Sequence, residues 1–312
     1  MYSCIKCKFP IELNHSLNTV ICDNCSSEYP LLNGKPVFLK SASDYINSAD
    51  LINSNFKQVE SKNIKFLKRL VPSPSVNLSR SKVYKKLNNN NCIGRILIVG
   101  GGTQKCSIQK KFPNSKIVSF DIDLSSDVDC FADAHHMPFV NDYFDLVIIT
   151  AVLQHVPKPI IVVSEIYRCM KPSGFVYSEN AFLQHVIEGG YDFQRTTLSG
   201  HKLLFFNFKI VDSGVVAGPF TVLYWWIENT FLLFFNFGNS STHRFLKFGL
   251  RFVFAWISRL DWLLINFKGL EDMASSTYIL ANKTIETSKD SNEDVIRNII
   301  NNYSGIKSIK HF

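Results

Sequence analysis

Two sets of residues in this 312-residue chain have types and spacings that could do chemistry. The first is Cys4-x-x-Cys7 followed by Cys22-x-x-Cys25, two close pairs separated by a hairpin-length insert. Four thiolates so placed would complete a tetrahedral zinc shell and leave no open position, which predicts a structural metal rather than a catalytic one. Disulfide pairing is the other chemistry open to them, and no signal peptide precedes Cys4 to suggest an oxidising compartment. The second set is the run Gly100-Gly101-Gly102, with Asp121 after it. Glycine accepts positive φ and has no Cβ, so a backbone turn built from it can approach a ligand closely. An acid about 20 residues further on, ending the next strand, is placed to accept hydrogen bonds from ribose hydroxyls.

These residues need elements to hold them. Arg95-Ile-Leu-Ile-Val99 reads as a short buried strand running into the glycine turn, and the stretch from Lys116 to Phe120 reads as a second strand that ends on Asp121. Next come Phe-Ala-Asp133-Ala134-His135-His136-Met-Pro-Phe, then Tyr-Phe-Asp-Leu-Val-Ile-Ile-Thr150, then a helix-to-strand passage from Glu165 to Val176. In this order the motifs resemble the class I S-adenosylmethionine-dependent methyltransferases, of the methyltransferase type 11 kind, over roughly residues 91 to 215.

The resemblance implies an α/β fold with a Rossmann-like sheet and helices on both faces. It implies that Gly100, Gly101 and Gly102 cradle the methionine part of S-adenosylmethionine and that Asp121 binds the ribose. Asp133 and Ala134 would flank the adenine, and Thr150 through His155 would wall the transferable methyl group. A dinucleotide-binding Rossmann domain is the rival, disfavoured because the run lacks the last glycine of its pyrophosphate fingerprint. Two positions depart from the family pattern: Ile98 stands where an acid is usual and Gln104 where a further glycine is usual. A cofactor-binding scaffold without turnover therefore stays open.

Residues 1–40 resemble the small zinc-ribbon family that activates methyltransferases, here supplied in cis. A basic, helical linker is expected over 41–90, with Lys62, Lys65, Lys68, Arg69, Arg80, Lys82, Lys85 and Lys86 on solvated faces or on phosphate. The methyltransferase domain would occupy 91–218, an aromatic-rich helical extension with a returning strand 219–285, and an exposed polar tail 286–312. Cys92, Cys106, Cys130 and Cys169 read as buried, reduced thiols.

On the acceptor side the loop after the fifth strand offers Tyr191, Asp192 and Arg195, although Asp192 and Arg195 could equally form a local ion pair capping the next helix. If the acceptor is a hydroxyl, His155 and His185 are the candidate general bases, since histidine titrates near neutrality. Either could instead be structural.

Composition bounds the partner. Apolar residues make up 46% and charged residues 19%, ordinary for a globular enzyme, and the net charge is +8. From Pro219 to Phe267 the chain is strongly aromatic, but Glu228 and Asn229 interrupt its most apolar stretch and argue against a membrane span. Arg244, Lys247 and Arg251 fall on one helical face with Phe248, Phe252, Val253 and Trp256 around the rest, as in helices that lie on an anionic membrane surface; packing on the sheet or forming a dimer interface is the alternative. The aromatic region suits a greasy acceptor carrier, and the resemblance, through methyltransferases found among surface-polysaccharide enzymes, implies a cytoplasmic enzyme, peripheral to the membrane, acting on a glycan, a lipid-linked glycan or another amphipathic small molecule. RNA or protein methylation, gripped by ribbon and linker, is the second reading.

Overall fold

The amino-terminal residues form two knuckles on short strands: β1 (Tyr2–Ser3) with β2 (Pro10–Ile11), and β3 (Thr19–Ile21) with β4 (Glu28–Leu32), followed by β5 (Lys35–Phe38). The knuckles are the same turn twice. Lys8 N donates to Cys4 O at 2.9 Å and Ser26 N to Cys22 O at 2.8 Å, while Cys4 N and Cys22 N bond forward to Phe9 O and Ser27 O. Lys8 and Ser26 both take positive φ, the bend that points backbone and sulfur inward. This computed structural model describes residues 1–13, 19–39, 76–89, 94–102, 104–235, 240–284 and 292–303.

The core elements follow as α1 (Arg80–Asn89), β6 (Arg95–Val99), α2 (Lys105–Gln109), β7 (Lys116–Asp121), β8 (Cys130–Ala132), β9 (Phe144–Thr150), α3 (Pro159–Cys169) and β10 (Met170–Ala181). Then come α4 (Leu198–Leu204), β11 (Lys209–Ala217), α5 (Pro219–Phe234), α6 (Ser240–Phe254), α7 (Asp261–Leu264), β12 (Ser276–Asn282) and α8 (Asn292–Asn301). The strands run side by side in the order β11-β12-β10-β9-β6-β7-β8-β5-β4-β3. From β10 to β8 the pairing is parallel, and β12 enters antiparallel between β10 and β11. Buried Ile, Leu and Val fill β6 and β9, the near-continuous apolar composition that a parallel strand covered on both faces requires. Val83, Tyr84 and Leu87 of α1 pack on one face with Ile96 and Ile98. Val162, Val163 and Ile166 of α3 pack on the other with Leu97 and Val147.

The ribbon is continuous with this sheet. Val37 and Phe38 of β5 pair in parallel with Phe131 and Ala132 of β8. Ser3 N donates to Pro138 O at 2.9 Å, Val140 N to Met1 O at 3.2 Å, and Lys8 reaches Glu165 of α3 at 2.8 Å. The ribbon thus packs in cis, its Tyr2 ring stacked 5.8 Å from that of Phe139.

In the extension, buried Asp261 takes over a capping role that Gly218 has no side chain to perform. Its carboxylate accepts from the backbone N–H groups of Gly218, Phe220 and Thr221 and from the Thr221 hydroxyl at 2.6 to 3.2 Å, anchoring the start of α5. Glu228, which interrupts the apolar stretch in sequence, is buried: it accepts from Tyr224 Oη and lies 3.6 Å from Lys247 and 3.5 Å from Arg251 of α6. Lys247 and Arg251 accordingly face Glu228. No described helix is long and apolar enough to cross a membrane.

Three expectations are corrected. Cys106 is exposed at the start of α2, whereas Cys130 and Cys169 are buried. Arg80 is no solvated linker residue, because its guanidinium is committed to Glu179. Part of the tail forms α8, with Tyr303 Oη donating to Asp272. Lys62, Lys65, Lys68, Arg69 and Cys92 lie outside the described residues.

Candidate active site

Strand order reverses between β6 and β9, which leaves a crevice at their carboxyl ends, the usual ligand position in an open α/β sheet. The glycine turn lines it. Gly100 has φ +66° and Gly102 φ +38°. A Cβ on Gly100 would stand 2.3 Å from Val152 Cγ2 and one on Gly101 2.8 Å from Ser119 Cβ, so neither place admits a side chain. Gly102 N donates to Asp121 Oδ2 at 3.0 Å, joining turn and acid directly, and Asp123 N donates to Oδ1 at 3.1 Å. Burial pushes the Asp121 carboxyl above the usual range despite these bonds. Hydroxyl donors from a ligand would relieve that penalty.

One strand further, Asp133 caps the turn Ala134–His136, accepting from His135 N at 2.9 Å and lying 2.7 Å from His135 Nδ1. Burial works against this carboxylate, but the His135 hydrogen bonds outweigh it and hold its pKa below the ordinary value. Ala134 is buried behind it.

The opposite wall begins at Thr150, whose hydroxyl donates to Gln104 Oε1 at 2.9 Å. Gln104 thus spans the crevice from the glycine side. Ala151 takes φ +57°, a costly conformation for a residue with a Cβ, and Val152 presses on Gly100. His155 Nδ1 donates to Tyr191 O at 3.0 Å, leaving Nε2 facing the Gln154 amide at 3.2 Å, the tautomer in which Nε2 carries a lone pair.

The loop after β10 is fastened to this wall by Phe193 N to Gln154 O at 2.9 Å and by Gln194 Nε2 to Leu153 O at 3.0 Å. Asp192 and Arg195 form an ion pair within it; Asp192 also accepts from Ile187 N, and Arg195 donates to His185 O. The cap of α4 is Thr197, which accepts from Gly200 N at 3.1 Å, so the pair braces the loop and not the helix. The Arg195 guanidinium, opposed by slight burial, holds the Asp192 carboxyl below its usual range. His185 is exposed and packs edge-on to Trp225 at 5.3 Å, where desolvation and the Lys247 charge lower its pKa. His155 and His185 are therefore attached to different parts of the loop.

Whether these residues suit S-adenosylmethionine can be judged from the unmet demands of the crevice. Asp121 has two backbone donors but is disfavoured as an anion by its burial, and the amide oxygens of Asn180 and Gln154 are buried with no hydrogen-bond partner. Such acceptors are normally satisfied, so they suit a ligand bearing N–H and O–H donors. At the ribbon, the four Sγ atoms of Cys4, Cys7, Cys22 and Cys25 all lie within 4.8 Å of one another, with Cys4–Cys25 and Cys7–Cys22 at 3.5 Å. Tetrahedral zinc–thiolate bonds imply sulfur separations of about 3.8 Å, so the cluster fits one ion. Disulfides would need sulfurs about 2 Å apart.

The profile of the methyltransferase-domain family matches residues 100–178, from the glycine turn to the middle of β10. This segment belongs to the methyltransferase-domain family. The match contains the glycine turn, Asp121, Asp133 and Thr150, the residues that line the crevice of the methyltransferase domain. No curated protein matches the chain. Among solved structures it is similar to the [4+2]-cyclase SpnF, at 15% identity and TM-score 0.42, covering 66% of this chain and 81% of that one. It is also similar to StiE O-MT residues 961–1257, at 10% and 0.44 over 71% and 77%. A third is Haemonchus contortus phosphoethanolamine N-methyltransferase 2 in complex with S-adenosyl-L-methionine, at 17% and 0.38, over 72% of this chain and 52% of that one.

Glu179, at the carboxyl end of β10 in the methyltransferase domain, escapes a reading by motif. It is buried, accepts from Tyr177 Oη at 2.5 Å, Arg80 Nε at 2.7 Å and Asn77 Nδ2 at 3.1 Å, and its backbone O holds Ala151 N. An acid ending a strand opposite Thr150 was the available signal, but its cation lies 99 residues away in the linker.

Proposed function

We propose that this chain transfers a methyl group from S-adenosylmethionine to a nucleophilic atom of an amphipathic acceptor, with a lipid-linked glycan as the favoured class. The observation that supports it best is the direct bond between the glycine turn and Asp121 at the switch point of a segment matching the methyltransferase family. The sulfonium of the donor supplies an already activated methyl group, so the protein's task is alignment and exclusion of water. Gly100 to Gly102 offer backbone at close range, Asp121 accepts hydroxyls, and Asp133 with Ala134 edges the adenine side. Asn180 and Gln154 hold spare acceptors, a candidate replacement for the acid that Ile98 does not provide. His155, its tautomer set by the Tyr191 carbonyl, carries an Nε2 lone pair that accepts from the Gln154 amide and would exchange that contact for the proton of an acceptor hydroxyl. Tyr191, Asp192 and Arg195 shape the loop above it. Zinc at Cys4, Cys7, Cys22 and Cys25 is structural in this reading.

A lipid-borne acceptor implies an anionic membrane surface as partner. It is favoured because the acceptor-side loop abuts the aromatic extension through His185 and Trp225. RNA ranks lower, since Arg80 is spent on Glu179 and the exposed Lys82, Lys85 and Lys86 of α1 have, among the described residues, no exposed aromatic residue beside them. One observation favours a non-catalytic scaffold: Gln104 bridges the crevice to Thr150.

Calorimetric titration of S-adenosylmethionine into the zinc-loaded protein tests the proposal. Micromolar binding, weakened about 10- to 100-fold by Asp121→Ala, is expected for a lost charged hydrogen-bond acceptor. No binding by the intact protein, restored by Gln104→Gly, would show that the amide closes the site and would move the scaffold reading ahead.

A further inference from the structure

The extension from Pro219 to Lys268 exposes an unusual surface. On α5 the buried positions Thr221, Tyr224, Glu228 and Leu232 recur at helical spacing, and the opposite stripe presents Leu223, Trp226 and Leu233 to solvent, the last two 70% and 78% exposed. On α6 the corresponding outward residues are Phe245 and Phe252, with Phe245 80% exposed, and Trp256 follows just past the end of the helix. The segment after it adds Trp262, Leu263 and Phe267, all exposed. The two helices are held together from inside by Glu228, so their outward stripes do not face each other across that contact. Scattered apolar residues on a surface mean little, but this many exposed Phe, Trp and Leu side chains on successive elements are more than soluble monomers usually carry.

Charge says what covers it. Between residues 219 and 268 the sequence contains two acids, Glu228 and Asp261, and both are buried, at 3% and 0% exposure. The cations of the same segment are not: Arg259 and Lys268 are exposed, and Lys247 and Arg251, two charges against the single Glu228, keep part of their side chains in solvent. Within residues 219–268 the outward face is therefore apolar, with Arg259 and Lys268 as exposed cations and no exposed acidic group. Two copies of such a face would bring like charges together. Trp and Phe beside Lys and Arg, without acids, is the composition that partitions into the boundary between headgroups and acyl chains of an anionic bilayer.

We infer that α5, α6 and the segment through Lys268 form a docking face for an anionic phospholipid bilayer, on which the protein lies without spanning it. The inference deepens the lipid-borne acceptor reading and rests on it for its purpose, though not for its test. The acceptor-side loop adjoins the face: Val186 is 65% exposed, Glu188 is its one exposed acid, and the loop touches α5 where His185 meets Trp225. A docked molecule would open its crevice toward the lipid surface.

All four tryptophans of the chain, Trp225, Trp226, Trp256 and Trp262, lie in this extension, so intrinsic fluorescence reports on it alone. The zinc-loaded full chain should float with vesicles of phosphatidylcholine containing roughly one part in three phosphatidylglycerol, and its emission should shift to the blue. Trp226→Ser with Leu233→Ser, and separately Phe252→Ser with Trp256→Ser, should each weaken flotation about tenfold or more at unchanged melting temperature, because these side chains are exposed. Ile160→Ser on α3, also exposed, is the control expected to bind normally. Absence of flotation overturns the inference. So does a stable dimer by light scattering that the same double variants dissolve, which would make a second copy the occupant. Equal flotation with pure phosphatidylcholine would overturn the anionic part. Calorimetry with S-adenosylmethionine on the same samples separates the two proposals: cofactor binding without flotation removes this inference alone, and flotation without cofactor binding removes the proposed function alone.

Discussion

His201 is fully buried between the Ser178 hydroxyl at 2.8 Å and the Thr277 hydroxyl at 3.0 Å, and burial pushes its pKa down to about 3. An unfolded histidine titrates near pH 6.5, so between those values the unfolded chain binds a proton that the folded chain refuses. Its stabilising effect is therefore complete above about pH 6.5 and is lost as pH falls toward 3, with an upper size on the order of 5 kcal/mol. His201→Gln keeps a donor and an acceptor but cannot titrate, and denaturation curves measured across that range should flatten by that amount; parallel curves would clear the imidazole. Glu179 presents the opposite case, a buried anion with its cation in place. Arg80→Met should cost about 1–3 kcal/mol in urea denaturation, since Glu179 would remain buried with uncharged partners while Arg80 itself is partly in solvent. Adding Glu179→Gln should recover part of the loss. Neither residue announces itself in the sequence, because each acquires its role from a partner many positions away. Cys4 to Cys25, Gly100 to Gly102 and Asp121 are legible because their spacing is local, and Asp133 because it caps its own turn.

At the scale of elements, α5 begins at Gly218 with no capping side chain of its own, and Asp261 performs that service from the far end of the extension. The carboxylate satisfies three backbone N–H groups and adds negative charge at the helix start. Asp261→Ala should lower stability by about 2–4 kcal/mol and speed hydrogen exchange at Gly218, Phe220 and Thr221 while leaving α1 protected. Gly218→Ala should act on the same contact, for its Cβ would stand 2.7 Å from Asp261 Oδ1. Strands β6, β7 and β9 follow from apolar runs bounded by turns, and the returning strand was visible in outline. The role of Glu228 was not: a charge in an apolar stretch reads as an obstacle to a membrane span, whereas burial against Lys247 and Arg251 removes it from the surface altogether.

For the whole molecule, the consequence of the ribbon lies in its attachment. It meets the segment 130–139 twice, through β5 on β8 and through Ser3 on Pro138, so the Asp133 side of the crevice leans on the cysteine cluster. Removing zinc with a chelator should lower the melting temperature and S-adenosylmethionine affinity together, and zinc alone should restore both; affinity unchanged in the metal-free protein would show that the ribbon supports only itself.

A sheet also has edges. Strand β8 is three residues long and would end the parallel array with its backbone bare, but β5 covers it and the chain closes through β4 to β3, also three residues long. Short, shielded borders of this kind keep one sheet from recruiting another. Since residues 1–38 leave the ribosome before any strand of the core, the guard is in place before the edge it protects is made. Protein stripped of zinc should then cloud at temperatures where the holo form stays clear, with light scattering rising in step with metal loss.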